Sequence, residues 1–306
     1  MTPQTFTFIG VTTGASAATR LFGAWARELG VRDMRLVGCD LPLHAPRERY
    51  REVVLRIKDD EHARGALVTA HKIDLFEACR DLFDSVDAEA ELLGEASALA
   101  HRDGALTAFA TDPTSSGRAL EDFYPSHARG EVLCLGGGGS ATAITVELLQ
   151  RRAVTRITVV DVSAERLDRL RAIHHRLDLL APVRYVESND PIADDRLVGE
   201  LPPHSLVINA TGLGKDAPGS PLSDAAVFPE YGYAWDVNYR GDLRFLRQAR
   251  AQQASRHLRV EDGWRYFIHG WAAVMSRVFD VYIGPEETIR LAAIAEPERP
   301  RTTIRP

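Results

Sequence analysis

The stretch that decides the fold runs from residue 132 to residue 143 and has the sequence VLCLGGGGSATA. Four apolar residues precede four glycines, and Gly136, Gly138 and Ala141 form a G-x-G-x-x-A arrangement. Such glycines permit a tight strand-to-helix turn and close approach of a pyrophosphate, which the N–H groups of a helix N-terminus then bind. The stretch predicts a dinucleotide-binding βαβ unit; the alternative is a glycine-rich turn that only joins strand to helix. The predicted phosphate contacts are Gly136, Gly137, Gly138, Gly139 and Ser140.

An acidic residue follows at the distance that this motif requires. Asp161 ends the next apolar run, about 20 residues after the glycines. A carboxylate at this place accepts hydrogen bonds from the adenosine ribose hydroxyls and repels a ribose phosphate. The next residue is Val162 and not a cation. We therefore expect the cofactor to be NAD rather than NADP.

Strand and helix patterns alternate on both sides of this unit. Towards the C-terminus we predict strands at residues 156–161, 205–209 and 234–237 and helices at 140–150 and after Ser163, which is typical of a doubly wound Rossmann domain. Towards the N-terminus, residues 5–11, 34–38 and 66–69 have the composition of strands and are separated by amphipathic helices. This order predicts an α/β domain with a largely parallel sheet. Residues 95–110 are expected to form two short strands around a turn, before a helix near Pro113.

Composition points to a small-molecule partner. The 306 residues carry a net charge of -6, which gives no basic surface for a nucleic acid. The three cysteines lie in no C-x-x-C or metal-ligand spacing, so we expect no metal. We also expect a cytoplasmic protein without a membrane partner, because neither a signal-peptide pattern nor an apolar run of about 20 residues occurs.

Four further segments carry a family resemblance. They are Gly65–Lys72 (GALVTAHK), Ala110–Pro113 (ATDP) followed by Gly117, Asn209–Gly214 (NATGLG) and Asp236–Tyr239 (DVNY). Together with the glycine loop they make the chain similar to the shikimate/quinate dehydrogenase family from about Phe8 to Phe279. The resemblance implies an N-terminal α/β substrate-binding domain at residues 1–124, completed by C-terminal helices at 268–306, and a Rossmann domain at 125–267. It also implies a monomer or homodimer in aromatic amino acid biosynthesis.

The same resemblance assigns the chemistry to Lys72 and Asp112. Family members interconvert a ring hydroxyl and a ketone beside a cyclic carboxylate. A cationic lysine against the oxygen and a carboxylate on the same group can relay the hydroxyl proton. The alternatives are a solvated lysine that starts a helix and an aspartate that caps one before Pro113. The resemblance further implies that Asn209, Thr211 and Gly212 contact the cofactor and that Tyr239 reaches the substrate.

Several substrate positions depart from the family pattern. One of two paired serines is Ser16 and the other is replaced by Ala18; Ser97 replaces the asparagine of the family's G-A-x-N-T element, here GEASA. Thr69 is one residue too close to Lys72. The glutamine of the returning helix is Arg277, which either binds a substrate carboxylate through its fork or pairs with Asp280. Because hydrogen-bonding sites discriminate strongly between hydroxyl patterns, we expect a cyclic hydroxy acid or related polyol other than shikimate. The predicted substrate contacts are Ser16, Thr69, Ser97, Tyr239 and Arg277.

Two other functions fit the same architecture. A methylenetetrahydrofolate dehydrogenase shares the two-domain plan and a lysine, but ATDP and NATGLG favour a dehydrogenase of cyclic acids. A catalytically silent regulator that binds nucleotide and metabolite is the second. Since Lys72 and Asp112 are both present, the sequence favours an enzyme.

Overall fold

The computed structural model describes residues 3–125, 128–151, 154–177, 181–215 and 217–300. The chain divides into two compact units, a first unit of Met1–Ser115 and Ile268–Arg299 and a second unit that contains Ser116–Phe267. The division after Ser115 lies inside a helix, whereas the boundary predicted at residue 124 lies just beyond the end of that helix.

The elements between residues 4 and 123 include the strands and helices that the sequence predicts, and two short elements at residues 85–86 and 88–93 that it does not predict. They are β1 (Gln4–Gly10), α1 (Ala17–Glu28), β2 (Met34–Asp40), α2 (Arg47–Asp59), β3 (Ala63–Val68), α3 (Lys72–Cys79), β4 (Ser85–Val86), α4 (Ala88–Leu93), β5 (Ala98–Arg102), β6 (Ala105–Phe109) and α5 (Asp112–Phe123).

The remaining elements continue the alternation and end in helices. They are β7 (Val132–Leu135), α6 (Gly139–Arg151), β8 (Ile157–Asp161), α7 (Ala164–His174), β9 (Val183–Glu187), α8 (Pro191–Gly199), β10 (Leu206–Asn209), β11 (Tyr233–Asp236), α9 (Arg244–Ala251), α10 (Gln253–Arg256), β12 (Arg259–Glu261), α11 (Trp264–Phe279) and α12 (Pro285–Ala295).

The sheet of the first unit is rich in parallel pairings, as the sequence predicts, and its antiparallel strand is β5. Its order is β2-β1-β3-β5-β6-β4; β1 pairs in parallel with β2 and β3, but β5 pairs antiparallel with both β3 and β6. The antiparallel pairing of β5 with β6 follows from the turn between them. Asp103 and Gly104 both have positive φ, which is the conformation of the tight two-residue turn that joins antiparallel strands. The two strands and this turn are as predicted, but their pairing with β3 is tertiary.

Aromatic side chains from both ends of the chain build part of the first unit's core. The Trp271 ring of α11 lies 6.4 Å from the Phe6 ring of β1 and 5.7 Å from the Trp25 ring of α1, centroid to centroid. Phe279 lies 5.0 Å from Phe6. Burial of such rings contributes the most apolar area per residue. The C-terminal helix α11 therefore completes the N-terminal fold through residues 268–279.

The sheet of the second unit is entirely parallel. Its order is β12-β11-β10-β7-β8-β9. The central strands β7 and β10 are neighbours, β8 and β9 follow on the side of β7, and β11 and β12 follow on the side of β10. This is the doubly wound Rossmann topology, in which ligands bind at the carboxyl ends of the strands where the order reverses. The predicted fold class is confirmed. The predicted cofactor residues lie at the carboxyl ends of β7, β8 and β10 or directly after them.

Candidate active site

The glycine loop after β7 leaves room for a ligand at one position and not at another. Gly136 has a φ of 111°, and a Cβ there would lie 2.7 Å from the carbonyl oxygen of Ala210. A Cβ on Gly138 would meet nothing within 4 Å. The helix α6 begins at Gly139, and its first N–H groups have no acceptor inside the helix. Gly136 is thus required by the protein itself, whereas the open space at Gly138 is suited to a phosphate.

Asp161 at the end of β8 is tied to this loop. One carboxylate oxygen accepts the Gly137 N–H at 2.6 Å, and the other accepts the Ser163 N–H at 2.8 Å and the Arg166 Nε at 3.0 Å. Arg166 is a residue that the sequence analysis missed, because only the adjacent Val162 was considered. The signal was available: Ser163 caps α7, so Arg166 lies in the first helical turn next to the strand end.

The segment Asn209–Gly214 is shaped by its own side chains. The Asn209 Oδ1 accepts the Thr211 N–H at 3.1 Å and the Thr211 hydroxyl at 2.6 Å, and its Nδ2 donates to Asp236 at 3.1 Å. The amide of Asn238 donates to the carbonyls of Thr211 and Leu213. Gly212 is exposed. The predicted cofactor residues Asn209 and Thr211 therefore set the course of the backbone, and Gly212 offers exposed backbone to a ligand.

Asp236 anchors that segment from a fully buried position. Burial raises the pKa of its carboxyl to about 7, and the hydrogen bonds from Asn238 and Asn209 only partly oppose this effect. Its Oδ2 is buried without a hydrogen bond from any residue that the structure describes. The nearby Tyr239, predicted to reach the substrate, is half-buried with its ring 5.3 Å from that of Trp264 and 4.9 Å from that of Phe267.

Lys72 and Asp112 meet in the first unit. Lys72 is the first residue of α3 and Asp112 the first of α5, and the Lys72 ammonium donates a hydrogen bond to the Asp112 Oδ2. The Ser115 N–H bonds to the carbonyl of Thr111, so Thr111 and not Asp112 occupies the position that precedes the helix. The two side chains are 22% and 10% exposed. Neither alternative from the sequence, a solvated lysine or a capping aspartate, describes this pair.

The charge of Lys72 is stabilised despite its partial burial. Desolvation lowers the pKa of its ammonium, but the charges of Asp112 and Glu95 and the hydrogen bond to Asp112 outweigh it, so that the pKa is raised. Glu95 is almost fully buried and is a second residue that the sequence analysis missed. Glu95 comes shortly after the end of α4, in the segment that contains Ser97. The lysine is therefore an ammonium that is paired with the Asp112 carboxylate.

Ser97 holds the segment that leads into Asp112. Its hydroxyl accepts the Thr111 N–H at 2.7 Å and shares a hydrogen bond with the Thr111 hydroxyl at 2.9 Å. Both residues are buried. The hydroxyl of Ser97 thus serves the local fold.

Ser16 and Thr69 also have intramolecular partners. The Ser16 hydroxyl caps α1 by accepting the Ala18 N–H at 3.3 Å, and the Thr69 hydroxyl donates to the Ile9 carbonyl at 3.1 Å. Both are half-buried, so one side of each remains accessible. Each hydroxyl keeps further hydrogen-bonding capacity, since a hydroxyl provides one donor and two acceptor positions.

Arg277 lies over an aromatic ring near the end of α11. Its guanidinium carbon is 5.4 Å from the centroid of Phe109, a cation–π geometry. Among the described residues, the ion-pair partner of Asp280 is Arg102, at 3.4 Å, rather than Arg277. The pKa of the nearby Asp87 is raised by burial and lowered in part by the charge of Arg277. The pairing with Asp280 considered from the sequence is therefore replaced by stacking on Phe109.

Metal clusters and membrane-spanning helices are both absent from the described ranges. No group of three or more His, Cys, Asp or Glu side chains there is arranged to hold a metal ion. None of the helices described there is long and apolar enough to cross a bilayer.

No family model matches the sequence, but individual relatives do. A shikimate dehydrogenase (NADP(+)) of Xanthomonas euvesicatoria pv. vesicatoria is 33% identical over 215 residues, which are 69% of this chain and 70% of the relative. A shikimate dehydrogenase (NADP(+)) of Symbiobacterium thermophilum is 30% identical over 222 residues, 72% of each chain.

Solved structures agree in fold. Shikimate 5-dehydrogenase of Thermus thermophilus, in complex with NADP(H) and shikimate, is 25% identical with a TM-score of 0.69, over 95% of this chain and 99% of that one. Quinate dehydrogenase of Corynebacterium glutamicum in complex with NAD has a TM-score of 0.75 at 20% identity, over 95% and 98%. The 5-ketofructose reductase of Gluconobacter sp. strain CHM43 has a TM-score of 0.73 at 21% identity, over 97% and 99%. The last two show the fold alone.

The same family is indicated by the sequence relatives, by the two α/β units and by the parallel sheet of the second unit. The chain belongs to the shikimate dehydrogenase family and is an oxidoreductase that acts on CH–OH groups with a nicotinamide dinucleotide.

Proposed function

We propose that the protein is an NAD-dependent dehydrogenase of a cyclic hydroxy acid similar to shikimate or quinate, and that Lys72 and Asp112 relay the hydroxyl proton. The observation that carries this proposal is the hydrogen-bonded Lys72–Asp112 pair, in which each residue is the first of a helix and both residues lie in the first unit. The first unit would bind the substrate, with the domain limits at residues 1–124 and 268–306. The second, residues 125–267, would bind the dinucleotide.

The pair has the charges that alcohol oxidation requires. The bound dinucleotide would accept the hydride that leaves the carbinol carbon. The Lys72 ammonium donates a hydrogen bond to the hydroxyl oxygen and stabilises the negative charge that develops there. The Asp112 carboxylate accepts the proton as the O–H bond breaks. In the reverse direction the same two groups polarise the ketone and return the proton.

Asp161 supports the choice of NAD. Its carboxylate is 7% exposed at the end of β8 and is fixed by three hydrogen bonds. A fixed negative charge beside the ribose repels the additional phosphate of NADP. The two sequence relatives carry NADP(+) in their names, and the quinate dehydrogenase neighbour was solved with NAD. Arg166 offers a cation at the same edge, but Asp161 holds its Nε.

The proposed substrate-binding residues support an altered ring pattern. Ala18 offers no hydroxyl, and the hydroxyl of Ser97 is engaged by Thr111. Arg277 adds a guanidinium whose fork matches a carboxylate. Ser16, Thr69, Ser97, Tyr239 and Arg277 remain the proposed substrate contacts. We propose a carboxylated ring that carries hydroxyls different from those of shikimate.

A spectrophotometric screen tests the proposal. Shikimate, quinate, other cyclic hydroxy acids and cyclic polyols are offered with NAD and with NADP, to the wild type and to Lys72→Ala. We expect turnover of a ring other than shikimate, faster with NAD, and its loss in Lys72→Ala. Shikimate oxidation above a kcat/KM of roughly 10⁴ M⁻¹s⁻¹ would refute the altered specificity. Turnover that survives in Lys72→Ala would refute the mechanism, and binding without turnover across the panel would instead support a regulator.

A further inference from the structure

His71, the residue before Lys72, has a fully buried ring. It precedes α3, and its carbonyl accepts the Leu75 N–H of that helix at 2.8 Å. The ring makes one hydrogen bond with the residues that the structure describes, between its Nδ1 and the Tyr50 hydroxyl of α2 at 3.2 Å. Its Nε2 is buried without a partner among them. The position of this ring, next to Lys72, therefore depends on Tyr50.

The hydroxyl of Tyr50 fixes the direction of that bond. Burial and the charge of Asp74 raise the pKa of this hydroxyl, so it keeps its proton. A carboxylate only accepts hydrogen bonds, so the hydroxyl donates to the Asp74 Oδ2 at 3.3 Å. Its oxygen accepts the Ala45 N–H at 3.2 Å, and its remaining acceptor position takes the Nδ1–H of His71. The ring of His71 is therefore protonated at Nδ1, and all three positions of the hydroxyl are filled.

Tyr50 thereby holds the chain on both sides of Lys72. His71 is the residue before the lysine, and Asp74, in the first turn of α3, is two residues after it. Tyr50 is 1% exposed and belongs to the same apolar cluster as Leu75, so its two bonds start from a closely packed interior position. The lysine side chain is long and flexible, so the reach of its ammonium depends on where its backbone lies.

We propose that Tyr50 is a positioning residue for the reaction, which fixes the start of α3 and thereby the place from which the Lys72 ammonium reaches the substrate oxygen. This inference rests on the proposed role of Lys72. As the hydride leaves the carbinol carbon and the hydroxyl proton passes to Asp112, the ammonium has to stay beside the oxygen that gains charge. A misplacement of about 1 Å can cost about 10²-fold in rate. The hydroxyl of Tyr50 restricts that displacement.

Kinetics of Tyr50→Phe and His71→Leu test the proposal, with NAD and the fastest substrate of the panel described above. Phenylalanine keeps the aromatic ring in the core and removes both bonds to the start of α3. We expect kcat to fall about tenfold. The KM values of NAD and of the ring substrate should stay within about twofold, because the lysine acts on charge that develops in the transition state. His71→Leu should cause a similar loss. The double variant should lose about tenfold and not a hundredfold, since the two residues act through one bond.

A matched variant and a spectrum separate this role from general stability. Tyr185→Phe, in the second unit, removes a hydroxyl that is likewise bonded to the Nδ1 of a buried histidine, His174, at 2.8 Å. This control should leave kcat unchanged. The ¹⁵N spectrum of the histidine rings should show His71 protonated at Nδ1, and protonation at Nε2 would overturn the inference.

The outcomes also separate this inference from the proposed function. If Tyr50→Phe or His71→Leu does not fold, as judged by thermal melting, the other variant is compared with Tyr185→Phe. Wild-type kcat in the folded variant, with Lys72→Ala inactive, would overturn the role of Tyr50 alone. Turnover in Lys72→Ala would overturn the proposed function itself.

Discussion

The candidate dinucleotide site of the second unit and the Lys72–Asp112 pair of the first unit are built in opposite ways. In the second unit, the glycine loop and Asp161 come from one contiguous strand–helix–strand stretch, and the ligand would face backbone N–H groups. In the first unit, Lys72 and Asp112 are 40 positions apart in the sequence and act through their side chains. A third segment of the chain, Gly94–Ser97, is hydrogen-bonded to Lys72 and to Thr111, the residue before Asp112.

This difference determines which substitutions each of the two sites tolerates. A site formed by backbone N–H groups needs open space. Substitution of a glycine by a residue with a side chain therefore disturbs such a site the most. A side-chain site depends on charges in partial burial, so that removing one charge changes the energy of its neighbours. Perturbations of chemistry and of dinucleotide binding should therefore separate cleanly between the two units.

The largest effect is expected from Lys72 and Asp112, the proposed catalytic pair. Lys72→Ala and Asp112→Asn should each lower kcat/KM by about 10³-fold, because each removes one partner of a proton relay. The double variant should lose about as much as either single one, since the two groups act together. Steady-state kinetics measures these losses, and fluorescence titration should show NAD affinity within about twofold of the wild type. A tenfold loss of NAD affinity in these variants would contradict the expectation that the first unit affects chemistry and not dinucleotide binding.

The next effect concerns Asp236 and the stability of the second unit. Because burial raises its pKa to about 7, the folded state holds this proton more tightly than the unfolded chain does. The resulting stabilisation is complete below the unfolded pKa of about 4 and is lost as the pH rises through 7. It amounts to roughly 4 kcal/mol at about 1.4 kcal/mol per pKa unit.

Urea denaturation of Asp236→Asn between pH 4 and pH 8 measures this loss. The variant should gain stability relative to the wild type as the pH rises. The buried His174, whose pKa is lowered to about 4, affects both proteins alike and cancels in the difference. Asp224→Asn, on an exposed carboxylate paired with Arg244, should show no such trend between pH 5 and pH 8. A difference between Asp236→Asn and wild type that is independent of pH would contradict the assignment.

A smaller effect distinguishes two glycines of the loop. Gly138→Val should weaken NAD binding at least tenfold with little change in the melting temperature, because a Cβ at this position meets no protein atom within 4 Å. Gly136→Ala should instead destabilise the fold by about 1–3 kcal/mol, since its φ is positive and Ala210 is too close. Calorimetry and thermal melting of both variants provide the comparison. Unchanged NAD affinity in Gly138→Val would place the phosphates elsewhere.

The smallest effect is expected at the ribose. Asp161→Asn removes the charge that opposes a phosphate and should improve kcat/KM with NADP by about tenfold relative to NAD. Arg166→Ala should lower any residual use of NADP a few-fold, because its guanidinium is the cation that Asp161 holds. The ratio of kcat/KM for the two dinucleotides is the measurement. An unchanged ratio in both variants would show that this strand end does not select the cofactor.

Local sequence predicted the second unit well. The strand Val132–Leu135, the strand end at Asp161 and the cap at Ser163 all lie where the pattern places them. Their signals are local, since apolar runs, a capping serine and glycines act within a few residues. The strand Val183–Glu187 was missed because it lies at the sheet edge, where charged residues interrupt the apolar pattern.

The candidate site was predicted in part. The Lys72 and Asp112 motifs were identified by resemblance, and the structure brings the two side chains together. Arg277 was expected to bind substrate or pair with Asp280, and its stacking on Phe109 could not be foreseen because β6 and α11 are far apart in the chain. Arg166 and Glu95 carried no motif, and only their surroundings identify them.

By itself, the sequence determined the alternation of strands and helices, the turn at Asp103 and Gly104, the glycine loop and the types of residue available for hydride transfer chemistry. These depend on backbone preferences and short-range patterns that a linear chain contains. Only the tertiary structure decided that β5 pairs antiparallel with β3, that Asp161 holds Arg166, and that Lys72 pairs with Asp112. Burial and the distance between charges set these energies, and both arise only when distant segments pack together.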